Sequence, residues 1–117
     1  MRENRTENRA PGAVLDMDRA REAFGGDAEA AEALALTRGL LERLLPALRG
    51  PAPDWEALHA IRGCAALLCG SETAERMAEQ ERRLRTGGLA GEGLADVLCV
   101  LDTLRNEIDA VLGSRGG

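Results

Sequence analysis

The sequence predicts an all-α protein, an antiparallel up-and-down four-helix bundle with a short additional N-terminal helix. Three observations predict it. Aromatic residues make up 2% of the chain and tyrosine is absent, so side chains that favour sheets are scarce, while the helix formers alanine, leucine, glutamate and arginine are used heavily. Apolar residues recur every three or four positions over long stretches. Breaks rich in Gly and Pro separate those stretches by only a few residues, so successive helices must fold back on one another. With 117 residues, 44% of them hydrophobic, the chain has room for one core and one domain.

The elements follow in chain order. Residues 1–13 are polar, lack apolar periodicity and carry Ala10-Pro11-Gly12 near their end, the pattern of a disordered leader. A short helix capped by Asp16 is expected to run through Ala20 to Phe24, where Gly25-Gly26 stops it and Asp27 caps the next. The second helix carries Leu34, Leu41, Leu44, Leu45 and Leu48 on one stripe despite Gly39 and Pro46, with Pro46 expected to bend its last turns. Gly50-Pro51-Ala52-Pro53 breaks the chain, and Asp54 starts a third helix predicted over 55–70. Ser71 then opens a helix that turns Ala74, Met77 and Leu84 inward and ends at Thr86-Gly87-Gly88. The last helix sends Leu94, Val97, Leu98, Leu101, Leu104, Ile108, Val111 and Leu112 inward and is expected to stop at Gly113. The domain therefore spans residues 14–113, and 114–117 form a flexible tail.

Charge and cysteine usage narrow the function classes. A formal net charge of −5 disfavours nucleic acid and anionic membrane as partners, since both select basic faces. The opening Met1 to Arg9 lacks the apolar region of a secretory signal, and no stretch approaches the roughly 20 apolar residues that span a bilayer. The expectation is a cytoplasmic protein that binds no membrane. Cys64, Cys69 and Cys99 are odd in number and show no CxxC spacing. Each falls inside a predicted helix, and the expectation is that they act as buried small apolar side chains.

His59 is the only histidine. Projecting the third helix at about 100° per residue puts Leu58, Ile61, Ala65 and Leu68 on one stripe and His59 roughly 140° from its centre, facing solvent. The neighbours of His59 on that projection are Gly63, Ala66 and Gly70, with Arg62 and Trp55 further round. The imidazole is thus expected to stand among very small side chains, where a large partner could dock. A glycine inside a helix costs about 1 kcal/mol relative to alanine, so Gly63 calls for a use, and clearing space over the imidazole is that use.

The segment His59-Ala60-Ile61-Arg62-Gly63 resembles the H-x-[LI]-K-G core of the histidine-containing phosphotransfer (HPt) domains of bacterial and eukaryotic phosphorelays. Val14-Leu15-Asp16 and Phe24-Gly25-Gly26-Asp27 are similar to that family's opening helix and the turn into its second helix. Gly70-Ser71-Glu72-Thr73-Ala74 is similar to its G-A-x-x-L turn, so the resemblance runs from about Val14 to Leu112. The sequence departs from the pattern in two places. The family's glycine after the histidine helix falls at Cys69 without a gap, and the acidic residue and Trp that open that helix stand about one turn nearer the histidine, as Asp54-Trp55.

The resemblance implies that His59 accepts a phosphoryl group from an aspartyl phosphate on one receiver domain and passes it to an aspartate on another. It implies phosphoryl stabilisation by Arg62, where the family usually has lysine, and steric access through Gly63. Either Gln80 or Glu81 is placed to hydrogen-bond the second ring nitrogen of His59. The implied partners are response-regulator receiver domains and an upstream hybrid sensor histidine kinase. The chain is expected to need no cofactor of its own, with Mg²⁺ carried by the receiver. A neutral imidazole is a competent nucleophile toward phosphorus, and phosphoryl transfer depends chiefly on positioning and charge stabilisation. Two other readings stand beside this one: a phosphorylation-incompetent bundle that serves as adaptor or competitor for receivers, and a thiol switch built on the three cysteines.

Overall fold

The computed structural model describes residues 14–87 and 91–116, with side chains as far as Gly113. The expected leader over residues 1–13 lies outside the described residues, as does Gly88. Five α-helices make up the described fold: α1 Met17–Phe24, α2 Asp27–Arg49, α3 Trp55–Ala65, α4 Ser71–Arg85 and α5 Glu92–Gly116. The helix starts follow from local chemistry. The Asp16 carboxylate accepts from the Arg19 amide at 3.1 Å and caps α1, and Asp54 accepts from the Glu56 amide at 3.0 Å and caps α3. Between α1 and α2 the chain reverses through Gly25 at φ +97° and Gly26 at φ +146°, backbone that side chains with a Cβ adopt only with strain. Gly26 is the N-cap of α2 and Asp27 its first residue, one position from the expected cap.

Two helix ends differ from the sequence reading. Helix α3 ends at Ala65 instead of Gly70, because the segment ahead of α1 captures the backbone beyond it. The Asp16 amide donates to the Leu68 carbonyl at 2.8 Å, and Leu15 and Cys69 form an isolated antiparallel bridge. Leu68 and Cys69 are both fully buried, and a straight helix would turn adjacent residues about 100° apart. Cys69 is therefore not helical, and the expectation that the cysteines are buried holds for it alone: Cys64 is half-buried and Cys99 exposed. At the other boundary, α5 continues past Gly113 to Gly116, whereas α2 runs through Pro46 to Arg49, just ahead of the expected break at Gly50. Gly113 keeps a negative φ, so it carries only the propensity cost of a helical glycine.

The core is aliphatic. Leu34, Leu41, Leu45 and Leu48 of α2 meet Leu58, Ile61 and Ala65 of α3, Met77 of α4, and Leu101, Leu104 and Ile108 of α5. On the predicted stripes Ala74, Leu84, Leu44, Leu98, Val111 and Leu112 are only half-buried. Packing runs α2 on α3, α3 on α4, α4 on α5 and α5 back on α2, a closed cycle, while α1 packs on α2. Arg38 pairs with Asp109 and Arg49 with Asp102 at 2.5 Å, so residue numbers rise along α2 as they fall along α5 and the two helices run antiparallel. Val14 and Leu15 anchor the start of the described chain: both amides donate to the Glu107 carboxylate of α5, at 3.0 and 2.7 Å.

Candidate functional site

His59 lies in the second turn of α3, four residues after the Trp55 that begins the helix. Its side chain is 60% exposed, because Leu58 and Ile61 take the buried stripe on either side of it. The imidazole is nevertheless held. Nδ1 lies 2.9 Å from Oε2 of Glu81, which reaches across from α4. The Trp55 ring stands edge-on to the imidazole, with centroids 6.2 Å apart and planes at 67°, within the range of aromatic contacts. Among the described residues no group hydrogen-bonds Nε2.

Glu81 organises the site. It occupies an inward position four residues after Met77, and its side chain is 5% exposed. One carboxylate oxygen faces His59 and the other accepts from Arg62 Nε at 2.6 Å. Burial pushes the carboxyl pKa up, but the hydrogen bonds from Arg62 and His59 and their charges outweigh it and hold the group below the ordinary carboxylate range. An ionised carboxylate can only accept, so this contact demands a proton on Nδ1, and in the neutral ring that places the lone pair on Nε2.

Of the two residues the sequence offered as partners of the ring, Glu81 is the one that contacts it. Gln80 turns to the other side of α4, against Gly93 of α5, where an added Cβ would lie 2.9 Å from the Gln80 amide carbon. A charged residue at an inward position of the Ala74, Met77, Glu81, Leu84 series is the sequence signal for a buried polar contact. The spacing alone does not say that two residues of α3 share it. Arg62, expected to point its donors at a phosphoryl group, spends Nε on Glu81.

Gly63 is exposed, and a Cβ built there meets nothing within 4 Å. No packing inside the described chain requires a glycine at this position. Gly70, expected on the same helical face, is instead the N-cap of α4, and Ala66 is the C-cap of α3. Among the described residues Leu36, 72% exposed, and Leu67, 41% exposed, are the large apolar side chains most open to solvent. At about 100° per residue, Leu36, Leu40 and Leu44 lie across the buried stripe of α2 from Arg38 and Arg49, whose partners belong to α5. That side of α2 is the one toward α3. Among the described residues no helix is long and apolar enough to cross a membrane. Compared with family models, curated proteins and solved structures, the chain shows no match.

Proposed function

We propose that the chain is a phosphorelay intermediate of the HPt type, working in the cytoplasm in two-component signal transduction. In this reading α2 to α5 form an antiparallel up-and-down four-helix bundle with α1 across one end. His59 accepts a phosphoryl group from a phospho-aspartyl receiver domain and transfers it to the aspartate of another receiver, downstream of a hybrid sensor histidine kinase. The observation that carries the reading is the exposed imidazole, bound at Nδ1 by the buried Glu81 and unbonded at Nε2, beside the open surface of Gly63.

The chemistry balances on these groups. The Nε2 lone pair forms a bond to phosphorus as the bond from phosphorus to the receiver's carboxyl oxygen breaks, and the receiver aspartate departs as a carboxylate. The proton stays on Nδ1. The ring becomes a phosphorylated imidazolium, and its positive charge develops against the Glu81 carboxylate. In the onward step a carboxylate oxygen of the second receiver's aspartate bonds to phosphorus as the bond from Nε2 breaks, and the ring leaves as neutral imidazole, a far better leaving group than imidazolate. The receiver's Mg²⁺ and carboxylates supply most of the charge stabilisation, and the chain needs no cofactor of its own. Leu36, Leu40 and Leu67, with Gly63 and Ala66, offer the small apolar surface a transient partner requires.

The test is to mix the purified chain with a phosphorylated receiver or hybrid kinase and look for acid-labile, alkali-stable phosphate. Label on the native protein and none on a folded His59→Gln variant supports the relay reading. Binding without label across several donors sinks it and favours the adaptor. Gly63→Leu should fold, since the position is open, and should block transfer by filling the space over the ring; normal transfer by that variant would remove the steric argument.

A further inference from the structure

We infer that Arg62 acts through Glu81, as the positioning residue that keeps the His59 imidazole in its nucleophilic tautomer. The inference rests on the phosphotransfer reading for its consequence in transfer, but its premise is geometric. His59 and Arg62 stand one turn apart on α3 and each takes one oxygen of the same carboxylate, at 2.9 and 2.6 Å. Glu81 is buried, and those two contacts are its hydrogen bonds to the described chain. Among the described residues the carboxylate is the only hydrogen-bond partner of the ring, so whatever sets its charge sets the tautomer.

Removing the guanidinium leaves a buried carboxylate with one donor, and two outcomes are open to it. Burial favours the neutral acid. A protonated Glu81 becomes a donor, bonds an unprotonated Nδ1 and leaves the ring proton on Nε2. Alternatively Glu81 stays ionised by drawing a second proton onto the ring, which protonates both nitrogens. Each outcome removes the Nε2 lone pair that attacks phosphorus. With Arg62 in place, the guanidinium already balances the carboxylate, and the ring can stay neutral with its proton on Nδ1.

With a single histidine in the chain, the ¹⁵N resonances of the imidazole report the tautomer without overlap. In Arg62→Met, which keeps an apolar stem and loses charge and donors, the fraction of rings with an unprotonated Nε2 should fall several-fold between about pH 6 and 8. The rate of label uptake should fall about tenfold or more. Arg62→Lys should recover most of both. In a Glu81→Gln background, where no charge remains to balance, adding Arg62→Met should change neither the tautomer nor the rate.

An unchanged Nε2 signal in folded Arg62→Met overturns the inference, as does an equal loss of transfer in both backgrounds, which assigns Arg62 to the phosphoryl group directly. Should Arg62→Met alone fail to fold, the comparison of Glu81→Gln with the double variant still decides: a further drop in the double variant overturns the inference. If the native chain takes no label from any donor while its tautomer follows Arg62, the relay reading falls and the inference about the ring stands.

Discussion

Among the seams that join helices through arginine and carboxylate, the one between α2 and α5 and the one between α3 and α4 lie in different surroundings. Between α2 and α5 the pair of Arg49 with Asp102 lies in solvent, its side chains 45% and 38% exposed, and Arg38 with Asp109 is similar. Between α3 and α4 the carboxylate is Glu81, 5% exposed, while its two partners reach it from the surface. The outer pairs exchange water for a partner that water nearly matches. The inner carboxylate has already left water, so each donor it keeps counts, and the loss of one leaves a charge without enough compensation. The same chemical pair is therefore a surface ornament at one seam and a constraint on a reactive side chain at the other.

The comparison breaks most visibly at Arg62. Arg62→Met should lower stability by about 1–3 kcal/mol in urea unfolding, the cost of an under-satisfied buried acceptor reduced by the partial exposure of the arginine. A change no larger than that of an exposed Arg would place the two seams in one class. The pH dependence tests the same carboxylate. Its folded pKa is depressed, with burial opposing and the bonds from Arg62 and His59 prevailing. It thus stabilises the fold above the ordinary glutamate value of 4.5 and loses that contribution as pH falls through the lower folded value. The difference between native and Glu81→Gln unfolding curves should therefore shrink as the pH drops below 4.5. A difference that stays constant down to the acid limit contradicts the assignment.

Gly63 gives a smaller effect of opposite sign. Its backbone is helical, and a Cβ there meets nothing, so Gly63→Ala should raise stability by about 0.5–1 kcal/mol. Glycine at this position runs against the preference of the isolated fold. A thermal midpoint lower than native would show that the helix needs glycine for its own packing and would remove the reason to assign the space to a partner.

How far the sequence carried these conclusions depended on the range of the interaction. The buried stripe of Leu58, Ile61 and Ala65 and the outward placement of His59 follow from one helix's periodicity, and both are found; Leu68 is buried as expected, but beyond the end of that helix. The end of α3 does not, because the hydrogen bond from Asp16 to Leu68 joins residues far apart in the chain, and no local signal near Ala65 announces it. Glu81 was legible as a charged residue at an inward position. Its shared use by His59 and Arg62 depends on the register between α3 and α4, which tertiary packing sets. Leu36 lies off the stripe that periodicity picks out on α2, and only its 72% exposure marks it as a surface feature.

The smallest expected change belongs to the outer seam, and it completes the comparison. The Arg49 side chain reaches both oxygens of Asp102, at 2.5 and 2.6 Å, geometry that would matter greatly in a dry interior. In solvent the ions trade hydration for each other and lose side-chain freedom. A double-mutant cycle of Arg49→Met with Asp102→Asn should give a coupling of about 0.5 kcal/mol or less. That coupling should fade further when salt is raised to about 1 M, where charges are screened within roughly 3 Å. The Arg62 and Glu81 coupling should persist in the same salt, because ions cannot enter the space around a buried carboxylate. Equal salt sensitivity at the two seams would mean that Glu81 is reached by solvent in the folded protein, and the constraint on His59 would lose its physical basis.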